Sequence, residues 1–122
     1  MAFLQKKEIL IQELFETQAK VAPDSLAVVH EGRKLTYREL NSRANRLAHR
    51  LRQEGVGPDV LVAISTERSL DMVVGVLGIL KAGGAYVPVD PGYPQDRIAY
   101  MLSDSAPQVL LTQKQLCQGL PE

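Results

Sequence analysis

The feature that most restricts the fold is an alternation of strand-like and helix-like segments in the second half of the 122-residue chain. Val60–Thr66 is nearly all apolar and rich in β-branched residues, as expected for a parallel strand covered on both faces. Four segments follow in the order helix, strand, helix, strand, with predicted bounds Leu70–Ala82, Ala85–Val89, Pro94–Asp104 and Gln108–Thr112. Because such crossovers are right-handed, the β-α-β-α-β order predicts a doubly wound parallel α/β layer.

The first half of the chain predicts a helix, a β-hairpin and a second helix. The segment from about Glu8 to Val21 is predicted to be an amphipathic helix, because Ile11, Leu14, Phe15 and Ala19 share one face by three- and four-residue steps. Two strand-like segments, Ala27–His30 and Arg33–Leu35, flank a Glu31-Gly32 turn and predict a hairpin. The second helix follows directly and is expected to end near Gly55.

The stretch LTYREL at the start of this second helix predicts a specific helix terminus. Thr36 is a good N-cap, and Glu39, three residues later, can bond back to it and complete a capping box. Leu35 before the cap and Leu40 at the fourth helical position form the matching hydrophobic staple. Tyr37 has no part in these contacts and is interpreted as a packing residue at the solvent edge.

The helix predicted over residues 70–82 is apolar almost all round and is therefore expected to be deeply buried. Ser69 is its predicted N-cap, and Gly75 and Gly78 permit close approach of another backbone. Lys81 near the C-terminus suits the helix dipole, and Gly83 is a natural residue for the position after the C-cap.

The stretch LKAGGAYVPVDPGYPQDRI resembles an active site in composition only. Gly83 and Gly84 end a helix and enter a strand, whereas a phosphate-binding loop follows a strand and opens a helix. Asp90 and Asp96 are separated by a turn with two prolines, so nothing fixes them as an acid/base pair. Asp90 is expected to accept backbone N–H groups within the turn, and Pro88 is expected at the end of a short buried strand.

The remaining polar residues offer weak candidates for chemistry. His30 is predicted in a strand and His49 on the polar side of a helix, without ligand spacing for a metal. The single cysteine, Cys117, is interpreted as inert. Ligands of open parallel sheets bind beyond the carboxyl ends of strands. The residues predicted there are Ser65, Thr66, Glu67, Arg68, Val89, Asp90 and Thr112.

Composition excludes several classes of partner. Fourteen basic side chains balance fourteen acidic ones, which gives no electrostatic reason to expect nucleic acid or an anionic membrane as partner. The longest apolar run, residues 72–80, is far shorter than the roughly 20 residues of a membrane span. We expect a soluble cytoplasmic chain, a location with which one cysteine agrees.

Two stretches of the sequence resemble a known family. LTYREL and LKAGGAYVPVDPGYPQDRI are similar to the first two core motifs of the amino-acid adenylation domains of nonribosomal peptide synthetases. The flanking LFETQAKVAPDSLAVVHEG, ERSLDMVVGVLGILKAG and RIAYMLSDSAPQVLLT agree, so that the resemblance covers Ile9 to Thr112. The matching motif residues, all interpreted as structural, are Leu35, Thr36, Tyr37, Glu39, Leu40, Leu80, Lys81, Ala82, Gly83, Ala85, Tyr86, Val87, Pro88 and Asp90.

The resemblance implies a ligase that uses Mg-ATP to form an aminoacyl-adenylate and then loads the phosphopantetheine thiol of a carrier domain. Its partners would be the rest of the adenylation domain and neighbouring carrier and condensation domains. The phosphate loop, nucleotide-binding motifs and catalytic lysine of the family come later than residue 122. No catalytic, cofactor-binding or metal residue is therefore carried over, and the 122 residues alone are predicted to be inactive.

The whole chain is accordingly interpreted as a partial N-terminal subdomain, with residues 1–7 either native, linker or appended. Surfaces that the rest of the domain would cover are expected to promote self-association. Two alternatives stay open: a stand-alone α/β interaction or docking module, and part of a fatty-acyl or aryl ligase of the same superfamily. A flavodoxin-like signalling domain fits less well, because the first parallel strand lacks clustered acids at its end.

Overall fold

The structure, a computed structural model, describes residues 10–67 and 69–112. Within these ranges the chain forms four helices and five strands. Their bounds are α1 Ile11–Val21, β1 Leu26–His30, β2 Arg33–Thr36, α2 Tyr37–Gln53, β3 Leu61–Ser65, α3 Leu70–Lys81, β4 Ala85–Pro88, α4 Gln95–Ser105 and β5 Val109–Thr112. No helix in these ranges combines the length and the apolar character needed to cross a bilayer.

The strands form two sheets, which confirms the predicted hairpin and the predicted α/β layer. β1 and β2 pair antiparallel around Glu31 and Gly32, both of which have the positive φ angles (49° and 79°) that a tight hairpin turn requires. β3 lies between β4 and β5, and both pairings are parallel. The β-α-β-α-β order therefore builds a sheet that extends from β3 in both directions.

The core lies between the parallel sheet and the helix pair α2–α3. Val62 and Ile64 of β3 are buried against α3, which packs in turn on Leu47 and Leu51 of α2. Gly78 makes this helix contact close: a Cβ built on Gly78 would lie 2.6 Å from Leu47 Cδ2. The predicted close approach at Gly78 is confirmed.

The outer strands and the outer helix are less buried than the sequence predicts. β4 was expected to be a buried strand, but only Val89 beyond its end is buried, and Ala85, Tyr86 and Pro88 are exposed. In β5 only Leu111 is buried, and Leu110 is 40% exposed. Both predictions of burial are wrong because each strand forms an edge of a three-stranded sheet.

The last helix, α4, shows the same difference. Its predicted buried stripe, Ile98, Met101 and Leu102, is only half-buried, and no residue of α4 is fully buried. Pro94 is the N-cap of α4 rather than its first helical residue, with an extended ψ of 148°.

The start of the first helix, α1, also differs from the prediction. Leu10 is extended, so α1 begins at Ile11, and residues 8 and 9 lie outside the described ranges.

Candidate functional site

The N-terminus of α2 has the geometry that the first motif predicts. Thr36 Oγ1 accepts the Glu39 N–H at 3.1 Å, and Glu39 Oε1 accepts the Thr36 N–H at 2.9 Å, which confirms the capping box. The Tyr37 N–H donates to the Ser25 carbonyl at 3.0 Å, and the following amide donates to the Pro23 carbonyl at 2.9 Å. The amides of the first turn have no partner within the helix itself, but here they are bonded to other groups of the chain and are not available to a ligand.

Tyr37 packs beside the first helix, as expected of an edge residue. Its ring centroid lies 5.5 Å from that of Phe15, with the planes tilted by 38°. The staple residues Leu35 and Leu40 on either side of the cap are buried. The first motif therefore joins α1, the hairpin and α2.

The double glycine ends α3 in a Schellman motif. Gly83 has a φ of 91°, which favours glycine, and its N–H donates to the Leu80 carbonyl at 3.0 Å. The Gly84 N–H donates to the Ile79 carbonyl at 3.1 Å. A phosphate cradle needs free backbone amides, and both of these amides are bonded to carbonyls of the preceding helix. Gly83 and Gly84 thus close the C-terminus of α3.

Gly84 also lies against the neighbouring backbone. A Cβ at this position would be 2.8 Å from Val56 Cγ1 and 3.1 Å from the Val60 carbonyl oxygen. The turn after α3 is therefore packed at Gly84 on the segment that enters β3.

Lys81 of the second motif is bonded inside the protein. Its ammonium lies 2.5 Å from Glu16 Oε2 and 5.6 Å from the centroid of the Phe15 ring, and the side chain is only 4% exposed. Arg52 Nη2 donates to the Lys81 carbonyl at 2.6 Å. Besides its predicted interaction with the helix dipole, Lys81 fastens α1 to α3, a contact that sequence spacing could not reveal.

The proline-rich turn is held by Asp90 in the predicted way. Asp90 Oδ1 accepts the Gly92 N–H at 2.8 Å, and the Tyr93 N–H donates to the Asp90 carbonyl at 3.1 Å. The Arg97 guanidinium lies 4.4 Å from the Tyr93 ring centroid, within the range of a cation–π contact. Asp96 is an exposed acid in the first turn of α4.

The carboxyl ends of the parallel strands meet at one edge of the sheet. Ser65 pairs in register with Thr112, and Ile64 with Pro88. Thr66 Oγ1 and the α3 cap Ser69 Oγ both donate to the Glu67 carbonyl, at 3.3 and 3.1 Å. Ser69 Oγ also accepts the Met72 N–H, as a cap should. Arg68 lies outside the described residues, as does Cys117.

A buried ion pair near this edge escaped the sequence reasoning. Asp71 in the first turn of α3 is fully buried, and its Oδ1 lies 3.4 Å from Arg43 Nη2 of α2. The signal was available, since Asp71 is the one acidic residue in the apolar sequence of α3. A buried carboxylate requires a partner, so this pair fixes how α2 and α3 align.

The histidines lie where the sequence predicts. His30 is at the end of β1, 3.8 Å from the Glu31 carboxylate, and His49 is exposed on α2 beside Gln53. In residues 10–67 and 69–112 no three His, Cys, Asp or Glu side chains are grouped so as to hold a metal ion.

The described part of the chain has an apolar groove of about 430 Å³. It lies between α1, the hairpin and the outer side of α3. Seven of the twelve residues of α3 are buried, which confirms the predicted deep burial, and Val73 on the groove side is exposed. The residues that line it are Ile11, Phe15, Ala27, Tyr37, Leu40, Met72, Val73, Val76, Leu77 and Leu80. Since every one of these except Tyr37 is purely apolar or a thioether, the groove offers packing surface and no catalytic group.

Comparison with known proteins gives consistent matches. Residues 15–122 match the sequence model of the family described as AMP-binding enzyme. Gramicidin S synthase 2 of Brevibacillus brevis is 60% identical over 111 residues, which are 91% of this chain and 2% of that protein. The chain spans about 2% of the length of the curated relatives that head the matches.

Solved structures agree with the fold. The nonribosomal peptide synthetase FmoA3, in its alpha-methyl-L-serine-AMP bound form, superposes with a TM-score of 0.84 at 42% identity, over 93% of this chain and 13% of that chain. The N-terminal subdomain of Klebsiella oxytoca NpsA gives a TM-score of 0.78 at 26% identity, over 93% of this chain and 34% of that chain. The chain matches the N-terminal part of the adenylation domain in such proteins.

Proposed function

Since the chain belongs to the AMP-binding enzyme family, we propose that it forms the N-terminal scaffold of an amino-acid adenylation domain of a nonribosomal peptide synthetase. In this proposal its motif residues fix helix ends and turns, and the groups that bind ATP and the amino acid belong to other parts of the domain. The resemblance of both motifs and the identity to Gramicidin S synthase 2 support this branch of the family.

The proposed whole protein catalyses two steps. The carboxylate of an amino acid attacks the α-phosphorus of ATP, so that an aminoacyl-adenylate forms and pyrophosphate leaves with Mg²⁺. The phosphopantetheine thiol of a carrier domain then attacks the acyl carbon, and a thioester forms as AMP leaves. Carrier and condensation domains would be its neighbours in the same synthetase.

The observation that carries the proposal is how the second motif uses its polar groups. The amides of Gly83 and Gly84 are bonded to helix carbonyls, and the Lys81 ammonium is bonded to Glu16. A site for triphosphate needs free amides and an accessible cation to stabilise developing charge. The residues of this stretch do not fit ATP, so no step of the reaction is assigned to them.

Pyrophosphate exchange tests the proposal. The 122-residue chain is incubated with ATP, Mg²⁺, labelled pyrophosphate and each of the twenty amino acids in turn. We expect exchange equal to that of a protein-free control, because residues 10–67 and 69–112 contain no phosphate cradle. Amino-acid-dependent exchange above that control, retained after repurification, would contradict the scaffold role.

A further inference from the structure

α1 carries a second apolar stripe on the side that faces solvent. Leu10 at the N-cap is followed at steps of four, three and four residues by Leu14, Thr17 and Val21, so these residues lie along one side of the helix. Leu10, Leu14 and Val21 are 46%, 58% and 74% exposed. The core-facing side of α1 is a different one, and Ala19 is its buried residue. Ile11 and Leu14 were predicted to share the face of Ala19 but are exposed, so that part of the prediction is wrong. We call Leu10, Leu14, Thr17 and Val21 the α1 stripe.

Two opposite charges flank the α1 stripe on the same side. Glu13 lies in the first turn of α1 and Lys20 in the last, seven residues apart, and both are exposed. At about 100° per residue this spacing brings them to nearly the same side of the helix. Neither forms an ion pair with another described residue, whereas Glu16 on the next face is paired with Lys81. The charges beside the α1 stripe are therefore open to a partner.

The pattern is complementary to itself when one copy is reversed. We propose that two copies of this chain associate through the α1 stripe, with their α1 helices antiparallel about a two-fold axis. Leu14 then packs against Thr17 of the partner subunit, and Leu10 against Val21 of the partner subunit. Glu13 comes within about 3 Å along the axis of the partner's Lys20, since each residue advances the helix by about 1.5 Å.

The charges select the antiparallel arrangement. A two-fold interface places the same surface on both copies, so it is stable only if that surface is self-complementary. In the antiparallel pair Glu13 and Lys20 form two identical ion pairs across the axis. In a parallel pair in register each residue lies level with its own copy, and opposite charges are about 10 Å apart along the axis. Only the antiparallel arrangement therefore brings both Glu13 and Lys20 into ion pairs.

The polar residue of the α1 stripe does not oppose burial. Thr17 Oγ1 already donates to the Glu13 carbonyl at 3.0 Å, so burial leaves its hydroxyl proton bonded. A seam of three helical turns is small, below the roughly 1,200 Å² of total buried area typical of stable complexes. The dimer is therefore weak and reversible, and it forms at high protein concentration and low salt.

Analytical ultracentrifugation of the 122-residue chain from about 5 to about 500 μM tests this pairing in the range expected of small interfaces. We expect a monomer–dimer equilibrium that weakens as salt is added. The single variants Glu13→Lys and Lys20→Glu place like charges together, and each is expected to raise the Kd at least about tenfold. The double variant Glu13→Lys/Lys20→Glu restores opposite pairs and is expected to bring the Kd back to within about threefold.

Two further variants separate this interface from others. Leu14→Gln removes the centre of the α1 stripe at an exposed position and is expected to abolish the dimer. Leu110→Lys charges the exposed edge of the parallel sheet and is expected to leave the Kd unchanged. Far-UV circular dichroism checks that each variant keeps its helix content, because the charge swap opposes the helix dipole.

Several results would overturn the proposal. A monomer at every concentration excludes it directly. Loss of the dimer in Leu110→Lys with no effect of Leu14→Gln would assign association to the sheet edge. A double variant that, with native helix content, is as weak as the two single variants would exclude the antiparallel ion pairs.

Discussion

Replacement of Gly78 by alanine tests the packing of the central helices most sharply. Gly78 lies in the middle of α3, where alanine is normally preferred to glycine by about 1 kcal/mol. Its added Cβ would lie 2.6, 2.8 and 3.0 Å from Cδ2, Cγ and Cβ of Leu47. Leu47 is only 2% exposed and belongs to the core, so it has little space into which to move.

The helix propensity of alanine raises the stability of the variant, whereas the overlap with Leu47 lowers it, and the effect of the overlap is larger. Relief of three short contacts requires α2 and α3 to separate along an interface that contains most of the core. Overpacking of this kind costs about 1–3 kcal/mol, and a contact with the buried Cβ of Leu47 places the cost in the upper part of that range. After subtraction of the propensity gain, we expect Gly78→Ala to lose about 1–2 kcal/mol of stability.

Urea unfolding of the 122-residue chain measures this change, with thermal unfolding as a check at about 4 °C per kcal/mol. Gly57→Ala is the control, because no atom outside its own residue and its two chain neighbours lies within 4 Å of the added Cβ, and we expect no loss. In a Leu47→Ala background the two shortest contacts, with Cδ2 and Cγ, are absent and only the 3.0 Å contact with Cβ remains, so Gly78→Ala should cost less than in the native sequence. A gain in stability from Gly78→Ala in the native sequence would refute the reasoning.

Two further predictions concern the motif residues. Thr36→Ala removes the N-cap of α2 and should lower the free energy of unfolding, measured in urea, by about 1 kcal/mol. Thr36→Ser keeps the hydroxyl and should lower it by about 0.3 kcal/mol or less. Equal losses in both variants would contradict the capping assignment. Lys81→Met keeps the apolar packing but removes the bond to Glu16, so hydrogen exchange of the amides in α1 should accelerate about fivefold. The control variant Lys34→Met, at an exposed position of β2, should leave this exchange rate unchanged. Unaltered exchange in α1 would mean that Lys81 does not hold the helix.

Local signals predicted the helix ends because cap chemistry acts over a few residues. The capping box of Thr36 and Glu39, the Ser69 cap and the stop at Gly83 all depend on neighbours within five positions. The parallel order of the strands was predictable for a related reason, since right-handed crossovers leave few topologies for β-α-β-α-β.

Burial was harder to predict, because it depends on what lies beyond each element in space. The apolar sequences of β4 and β5 suggested strands covered on both sides, yet each is an edge with nothing described beyond it. The same holds for the stripe of α4. Long-range pairs escaped altogether: Lys81 meets Glu16, which is 65 residues away, and Asp71 meets Arg43 across two helices.

The central claim is that this chain supplies architecture to an adenylation domain and no chemistry. In the most direct test, this chain replaces the matching segment of a Gramicidin S synthase 2 adenylation domain, and pyrophosphate exchange by the chimera is measured. The replaced segment is 60% identical to this chain over 111 residues. We predict that the folded chimera keeps the amino-acid preference of its host at a rate within about tenfold, while the isolated chain shows no exchange. A changed amino-acid preference in the chimera, or exchange by the isolated chain, would contradict the account.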